Sequence, residues 1–443
     1  MFVNVTVENL APCKKLVRFE VDVQQVDETF KAVAKDYQRH AALPGFRAGK
    51  APEEMVLKKF EKDIADEVKR KLMSNSYQQA IKDHKLTVVG YPDIEEIQFG
   101  RGQALQFAAT IETAPEFQLP EYRGLPAKRE TAIVTEADME GALNALRGQQ
   151  AKFEKVDRPA QEGDFVVVNY HGSAEGKPIS EIAPAARGLT EQKNFWVEVK
   201  KDSFIPGFSE QLIGAKAGDK RTVNVDFPAD FVTPQLAGKK GVYEVELVEA
   251  KVRLLPELND AFAVTYGAET LEKLREGVRS DLQNELNLKQ KRSIRGQVVG
   301  ALLSRVSFEL PESTVQQETR SVVYNLVNDY QKRGAPKEVI DQQKDEIYSL
   351  ASQTAKERVK AGFLFQRIAE KEGVRVLEQD VNARIVTLAQ SYQMAPQKLL
   401  KELEKNDGVA EIYRQLLQEK VIDFLHEHAK VEDVAPAPAS PNP

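Results

Sequence analysis

The spacing of apolar residues changes twice along this chain, and that change limits the possible folds more than any other feature. Roughly the first 115 residues mix strand-like alternation with helical spacing, residues 160–250 form short β-rich runs, and residues 256–431 keep a helical rhythm. Alternation indicates a half-buried strand, whereas a spacing of three to four residues indicates an amphipathic helix. The three patterns of apolar spacing predict separate hydrophobic cores, and a chain of 443 residues is long enough to build them.

The first stretch predicts an α+β domain. Apolar residues alternate from Val17 to Val23 as in a strand, and a helix is expected to open at Asp27. After Pro52, which suits a first helical turn, apolar residues four apart from Val56 to Leu72 predict one long helix on a basic surface. Three prolines among residues 113–126 then mark a connector, which closes this domain.

The other two stretches predict different architectures. In the middle, short strands separated by turn residues indicate a small curved antiparallel sheet, preceded by one helix over residues 136–155. The clearest strands are residues 165–168, 195–199, 222–227 and 242–248. The last stretch predicts helices almost throughout, one of them ending at Gly373 as its C-cap. The final residues, 435–441, alternate Pro with small side chains and are expected not to fold.

Composition excludes several classes of protein. The 62 basic and 68 acidic residues give a net charge of −6, which argues against a dedicated nucleic-acid binder. A single cysteine, Cys13, excludes an intramolecular disulfide and thiolate metal sites, and we expect no metal and no other cofactor. The start lacks a signal-peptide pattern, and no run approaches the roughly 20 apolar residues of a membrane span. We therefore expect a soluble cytoplasmic protein that does not bind membranes.

The most specific motif is Gly-Phe-Arg-Ala-Gly-Lys-Ala-Pro at residues 45–52. Two glycines permit a sharp loop, and the loop would hold Phe46 beside Arg47 and Lys50. Such a tip offers a ring to bury in a partner and cations for carboxylates or phosphates. It lies in a basic segment, because residues 31–85 contain 13 basic and 8 acidic side chains. On the residues alone, a Phe46 ring tucked back into its own domain is an equally open interpretation.

This motif resembles, at every fixed position, the ribosome-docking signature Gly-Phe-Arg-x-Gly-Lys-x-Pro of the trigger factor family. The order of the three regions is also similar to that family over nearly the whole chain. The resemblance implies docking on the large ribosomal subunit near the exit tunnel, against ribosomal protein and rRNA. The docking residues it implies are Gly45, Phe46, Arg47, Gly49 and Lys50. Well-studied members often carry a third cation where this chain has Ala48, which bears on docking strength.

Three segments of the middle stretch, residues 163–172, 204–212 and 214–219, resemble FKBP-type peptidyl-prolyl isomerases. The resemblance implies a pocket of eight side chains, namely Tyr170, Ile179, Phe195, Ile205, Phe208, Phe227, Phe231 and Tyr243. Isomerisation needs no acid, base or nucleophile, because a dry apolar pocket favours the twisted amide over the solvated planar form. Ser180 stands where FKBPs commonly have an acidic residue, and some of these rings could be core alone. Trp196 is expected on the opposite side from Phe195.

Together the patterns predict a multidomain α+β protein, and the resemblances imply an N-terminal α+β ribosome-binding domain, an FKBP-like antiparallel sheet domain with a short helix and an all-α C-terminal chaperone domain. The expected divisions are a ribosome-binding domain at 1–115, a linker packing with the C-terminal domain at 116–155, the isomerase domain at 156–250, the helical domain at 251–432 and a disordered tail at 433–443. The implied clients are nascent and unfolded polypeptides, with a second copy of the chain as a possible partner off the ribosome.

Three functions stay open at this point. The first is a ribosome-associated chaperone that also isomerises X–Pro bonds. The second is a chaperone whose FKBP-like domain turns over little or nothing, and the third is an isomerase for which the helices are scaffold. A nucleic-acid-binding module is the weakest of the alternatives, because the basic segment lacks stacking aromatic residues beyond Phe46.

Overall fold

The structure is a computed structural model that describes residues 3–40, 46, 52–184, 186–229, 231–333 and 337–435. Its contacts divide the chain into two compact units. The first unit contains residues 1–131 and 290–443, and the second contains residues 132–289. Each unit contains its own buried clusters of apolar side chains, so the cores are separate as the changing periodicity predicts.

An antiparallel sheet covered by helices forms the N-terminal part of the first unit. Its elements are β1 (Val3–Ala11), β2 (Lys14–Val21), α1 (Val23–His40), α2 (Glu53–Lys59), α3 (Glu61–Asp83), β3 (Val88–Gln98) and β4 (Leu105–Thr113), followed by a separate strand, β5 (Pro126–Glu130). The sheet order is β1-β2-β4-β3. Alternate residues Val17, Phe19 and Val21 are buried against the apolar faces of α1 and α3, which is why this strand alternates.

Two predicted boundaries in this region are wrong. Val23 belongs to α1 rather than to the strand, and the helix begins four residues before Asp27. The cause is Asp22, whose carboxylate accepts a hydrogen bond from the Gln24 backbone N–H at 2.8 Å and so caps an earlier start. The long helix expected after Pro52 is two helices, because Phe60 between α2 and α3 has the non-helical angles φ −113° and ψ 24°. Periodicity could not show this break, since the buried stripe continues across it.

The second unit is built around a six-stranded sheet. Its elements are α4 (Glu136–Gln149), β6 (Lys152–Val156), β7 (Phe165–Ala174), β8 (Lys177–Pro178), α5 (Ile179–Ile182), α6 (Arg187–Thr190), β9 (Glu191–Glu198), a 3-10 helix (Ser209–Leu212), β10 (Lys220–Asp226), β11 (Lys240–Leu254) and α7 (Asp260–Thr265). The main order is β10-β11-β7-β8, with β6 paired to β11 and β9 to β7. The antiparallel sheet predicted for the middle stretch is confirmed.

The helix expected over residues 136–155 ends at Gln149, and the prediction is wrong beyond it. Residues 152–156 are instead strand β6, paired antiparallel with β11 from Lys152 opposite Leu254 to Val156 opposite Ala250. Phe153 explains the change, because its ring packs edge-on against Phe165 and Trp196 of the neighbouring strands. A contact that joins distant strands has no counterpart in local periodicity.

Helices dominate the remainder of the chain. They are α8 (Leu271–Ser304), α9 (Glu312–Lys332), α10 (Lys337–Gln342), α11 (Lys344–Glu372), α12 (Glu378–Ser391), α13 (Pro396–Lys405) and α14 (Gly408–Glu427), with a last strand, β12 (Lys430–Val434). Gly373 caps α11 with φ 69°, as predicted. Within the ranges that the structure describes, none of the helices is both long and apolar enough to cross a membrane.

The chain end differs from the disordered tail expected at 433–443. Asp433 and Val434 lie in β12, which pairs in parallel with β5. The Arg129 guanidinium donates to both carboxylate oxygens of Asp433, at 2.7 and 3.0 Å. The prediction is therefore wrong for these two residues, because their partner strand lies about 300 residues earlier in the sequence. Residues 436–443 are outside the described part of the chain.

Candidate functional site

Three buried aromatic rings form the centre of the six-stranded sheet's inner face. Tyr170 on β7, Tyr243 on β11 and Phe208 at the start of the 3-10 helix meet edge to face, with ring centroids 5.4 to 6.1 Å apart. Such geometry places the positive edge of one ring on the negative face of the next. Each side chain is at most 4% exposed, so the centre of this cluster is dry.

Gly172 makes this arrangement possible. It lies opposite Tyr243 in the β7–β11 pairing. A Cβ atom at this position would lie 2.5 Å from a Tyr243 ring carbon and 2.8 Å from the Leu189 carbonyl oxygen. Only glycine therefore allows the tyrosine ring to lie flat across β7, and the motif at residues 163–172 ends in glycine for this steric reason.

The structure brings all eight predicted pocket residues into one apolar cluster. Ile179, Ile205 and Phe227 are buried, and Phe195 and Phe231 are half-buried at its edge. Phe195 meets Tyr170 at 5.6 Å in a T-shaped contact, and Phe227 meets Phe231 at 4.8 Å. Trp196 is exposed and contacts Phe153 on the outer face, as predicted from the alternation of β9. The eight residues thus belong to the core of the sheet, and their role as the lining of an X–Pro pocket stays a prediction.

The two tyrosine hydroxyls are already engaged. Tyr243 Oη donates to the Leu189 carbonyl oxygen at 3.0 Å, and Tyr170 Oη donates to the Gly188 carbonyl oxygen. Both acceptors lie in α6, so the hydroxyls hold this segment against the cluster. Burial raises the pKa of Tyr170 to about 12 and also raises the pKa of Tyr243. Both groups therefore stay neutral at physiological pH. These two hydrogen bonds could not be predicted from the sequence, because any residue can supply a backbone carbonyl as acceptor.

One aromatic residue of the site, Phe204, was not among the predicted residues. Its ring centroid lies 5.0 Å from Phe195, 5.2 Å from Phe208 and 5.6 Å from Tyr170. The side chain is half-buried, unlike the rings beneath it. Its position immediately before Ile205 was the available signal, because the Ile-Pro-Gly-Phe turn carries both residues into the cluster.

An ion pair between the partly exposed Arg158 and the buried Asp164 anchors the strand that carries Tyr170. Asp164, just before β7, accepts hydrogen bonds from two nitrogens of Arg158 at 2.6 and 2.9 Å and from the Gln161 backbone at 2.8 Å. Burial by itself raises the pKa of Asp164, but the bonds from Arg158 and Gln161 outweigh it and lower the pKa. Ser180 and Glu181 are both exposed, so neither adds charge to the apolar cluster.

In the docking motif, the structure describes Phe46, whose side chain lies at a bend and is 40% exposed. This exposure is what docking requires, because a ring packed inside its own domain could not anchor a partner. The other predicted docking residues, Gly45, Arg47, Gly49 and Lys50, lie outside the described residues. Docking itself therefore stays a prediction.

Comparisons with known proteins agree with this architecture. Family models match in chain order: "Bacterial trigger factor protein (TF)" over residues 3–146, "FKBP-type peptidyl-prolyl cis-trans isomerase" over 156–248 and "Bacterial trigger factor protein (TF) C-terminus" over 270–427. The aromatic cluster thus belongs to an FKBP-type domain placed between the two parts of a chaperone.

Similar full-length proteins identify the family. The chain is 35% identical to the trigger factor of Opitutus terrae, over 98% of this chain and 99% of that protein. It is 32% identical to the trigger factor of Geobacter metallireducens, over 97% and 98% of the two chains. It is 31% identical to that of Chromohalobacter salexigens, over 97% and 94%. The chain belongs to the trigger factor family.

Proposed function

We propose that this protein docks on the large ribosomal subunit near the exit tunnel, binds nascent and unfolded polypeptides there, and isomerises their X–Pro bonds. Family membership and the FKBP-type domain support the chaperone and isomerase parts. The docking part depends above all on the motif at residues 45–52 and on the exposed Phe46 ring within it.

Docking follows from the chemistry of the motif. Burying a phenylalanine side chain stabilises a complex by about 1.5–3 kcal/mol. Arg47 and Lys50 add charge-assisted hydrogen bonds, which suit the carboxylates of a ribosomal protein and the phosphates of rRNA. Because contacts with phosphates release counterions, the docking of this protein should weaken as salt concentration rises.

Sedimentation with ribosomes tests the docking. We expect the triple variant Phe46→Ala, Arg47→Ala, Lys50→Ala to be lost from the ribosome pellet at a salt concentration that retains the wild type. A matched control carries Phe153→Ala, Arg187→Ala and Lys193→Ala, which remove the same residue types from exposed positions of the second unit. Equal retention of the wild type and the motif variant would contradict the docking proposal.

The isomerase step needs an environment rather than a reagent. Resonance holds the X–Pro amide planar with a rotation barrier of about 18–20 kcal/mol. The twisted transition state loses resonance and charge separation, and a dry aromatic pocket stabilises it relative to the hydrated planar amide. Both tyrosine hydroxyls of the cluster donate to backbone carbonyls, so they fix the walls and transfer no proton.

Two adjacent residues of β9 give a matched test of turnover. Phe195 packs on the cluster, whereas Trp196 points to the outer face. We expect Phe195→Ala to lower the acceleration of a proline-limited refolding reaction by about tenfold, equivalent to about 1.4 kcal/mol of transition-state stabilisation. Trp196→Ala should retain wild-type acceleration. Equal effects of the two variants would show that the inner face is not the isomerase site.

Client binding is assigned to the helical hairpin of α9 and α11. These two helices pack on one another through Val322, Ala351 and Ala355, which are buried. Tyr324 and Tyr348 remain exposed on the same pair. Open apolar surface among charged residues suits unfolded segments, which cover it transiently. Away from the ribosome, a second copy of the chain is the proposed occupant of such surface.

We propose the domain limits 1–115, 116–155, 156–250 and 251–432 with one adjustment. Strand β6 pairs with β11 from residue 152 onward, which supports a start of the isomerase domain at 152 rather than 156. We place the protein in the cytoplasm, where the ribosomes and clients of this proposal are found.

A chaperone with little or no turnover is the second candidate. Two observations favour it: Ser180 replaces the acidic residue expected from FKBPs, and Phe204 covers the central rings. This candidate predicts no acceleration of proline-limited refolding by the wild type, together with normal suppression of client aggregation.

A further inference from the structure

Phe204 contacts two of the three rings at the centre of the cluster. It contacts Tyr170 and Phe208 at centroid distances of 5.6 and 5.2 Å, and it also contacts Phe195 at the edge. Tyr170 is 4% and Phe208 0% exposed, whereas Phe204 is half-buried. The Phe204 ring therefore lies on the more exposed side of Tyr170 and Phe208.

The backbone on both sides of Phe204 is held in place. Ser203 Oγ donates to the Glu198 carbonyl oxygen and lies 2.8 Å from Ser209 Oγ. After it, the Phe208 N–H donates to the Ile205 carbonyl oxygen at 2.9 Å, which closes the turn. Rotation of the Phe204 side chain would uncover these rings while leaving the neighbouring hydrogen bonds intact. Side-chain rotation of a half-exposed residue is fast and local.

We propose that Phe204 determines the affinity of the isomerase site for X–Pro segments, because its ring occupies the space above Tyr170 and Phe208 that the proline ring takes. The inference rests on the proposed isomerase function and adds a residue that this function did not include. An X–Pro segment binds only while the Phe204 ring is rotated outward. The apparent dissociation constant is therefore the intrinsic one divided by the outward fraction.

The size of the effect follows from that relation. The inward ring keeps three aromatic contacts, each of which stabilises it modestly. If the outward state makes up about one tenth of the population, removing the ring tightens binding about tenfold. A smaller apolar side chain should give an intermediate gain. Phe204 thus keeps the affinity of the site low and favours segments that can displace its ring.

Calorimetric titration of the full chain with the peptide Ala-Leu-Pro-Phe tests the proposal. We expect Phe204→Ala to bind this peptide about tenfold more tightly than the wild type, with Phe204→Leu between them. Neither Phe204 variant should bind Ala-Leu-Ala-Phe, which lacks the proline, more tightly than the wild type does. Phe153→Ala removes a half-exposed ring from the outer face of the same sheet and should bind as the wild type does.

Unchanged or weaker binding by both Phe204 variants would overturn the inference, since the ring would then be a wall that substrate uses. The leucine variant keeps the test valid if the alanine variant unfolds. Turnover is measured separately by proline-limited refolding. A wild type that accelerates refolding, with no gain in binding by the variants, would contradict the inference alone. Tighter binding by the variants, with no acceleration by the wild type, would support the inference and contradict the isomerase proposal.

Discussion

Tyrosine has opposite roles in two regions of this protein. In the FKBP-type domain, Tyr170 and Tyr243 are buried, edge to face with Phe208, and their hydroxyls donate to backbone carbonyls. On the helical pair α9 and α11, Tyr324 is 69% exposed and Tyr348 59% exposed. The residue type is the same, but one set forms a dry shaped interior and the other an open surface.

The difference matches the two kinds of binding that we propose for these regions. Isomerisation requires a site that excludes water around a single amide, so its rings must be fixed by packing and hydrogen bonds. An unfolded client has no fixed shape, so the surface that binds it gains from being open and adaptable. The comparison therefore predicts that inner-face changes cost stability, whereas changes on the helical pair cost client binding alone.

Truncation of a central ring should have the largest effect on the free energy of unfolding. Phe208→Ala is expected to lower the free energy of unfolding of the FKBP-type domain by about 3–5 kcal/mol, because it leaves a cavity among buried rings. Denaturant unfolding followed by the fluorescence of the single tryptophan, Trp196, would measure it in the correct domain. Tyr324 lies in the other unit, which contains no tryptophan, so unfolding of Tyr324→Ala is followed by circular dichroism, and its free energy of unfolding should change by less than about 0.5 kcal/mol. Similar losses in the two variants would break the comparison.

Adding one carbon at Gly172 of β7 should lower the free energy of unfolding by less than truncation of a central ring does. Gly172→Ala places a Cβ against the Tyr243 ring and the Leu189 carbonyl, and we expect a loss of about 1–3 kcal/mol through overpacking. Gly188→Ala is the matched control in the same domain, because its Cβ would meet nothing within 4 Å. The same denaturant measurement applies, and equal unfolding midpoints for the two variants would show that the close approach is not a constraint.

Alkaline pH should destabilise the FKBP-type domain through its buried tyrosines. Burial raises the pKa of Tyr170 to about 12, above the value of about 10 for an unfolded tyrosine. The folded state therefore holds its proton more tightly, and its stabilisation is complete below pH 10 and lost as pH rises towards 12. Each such group contributes a slope of up to about 1.4 kcal/mol per pH unit in that window.

The measurement is the unfolding free energy between pH 9 and 11.5. Tyr170→Phe should show a shallower fall than the wild type over this range, because one of the buried phenols no longer titrates. A Tyr170→Phe curve parallel to the wild type would mean that the Tyr170 hydroxyl is solvated in the folded state.

The smallest effect on stability should accompany a clear loss of client binding. The double variant Tyr324→Ser, Tyr348→Ser is expected to unfold within about 0.5 kcal/mol of the wild type, since both side chains are exposed. Its capacity to suppress aggregation of an unfolded client should fall severalfold. Tyr392→Ser, at an exposed tyrosine outside this helical pair, is the control. Undiminished suppression would place the client surface elsewhere.

Much of the candidate site could be predicted from sequence because three segments resemble FKBP-type isomerases, and that resemblance implies the pocket positions. Eight predicted pocket residues fall in one cluster, and Trp196 points outward as the alternation of β9 requires. Phe204 was missed although it directly precedes Ile205, because its contacts with three other rings are visible only in the structure. The hydrogen bonds from the tyrosine hydroxyls to Gly188 and Leu189 could not be predicted either, because every residue has a backbone carbonyl.

The sequence by itself determined the order of three textures, the antiparallel character of the middle sheet, the C-cap at Gly373 and the motif around Phe46. Periodicity, capping and turn chemistry are local, so a short window contains all the information they need. Only the tertiary structure decided that residues 430–434 form a strand with residues 126–130, that residues 152–156 join β11, and that Phe60 separates two helices. These features depend on partners distant in the chain or on the packing of single rings, and no local pattern encodes which partner is chosen.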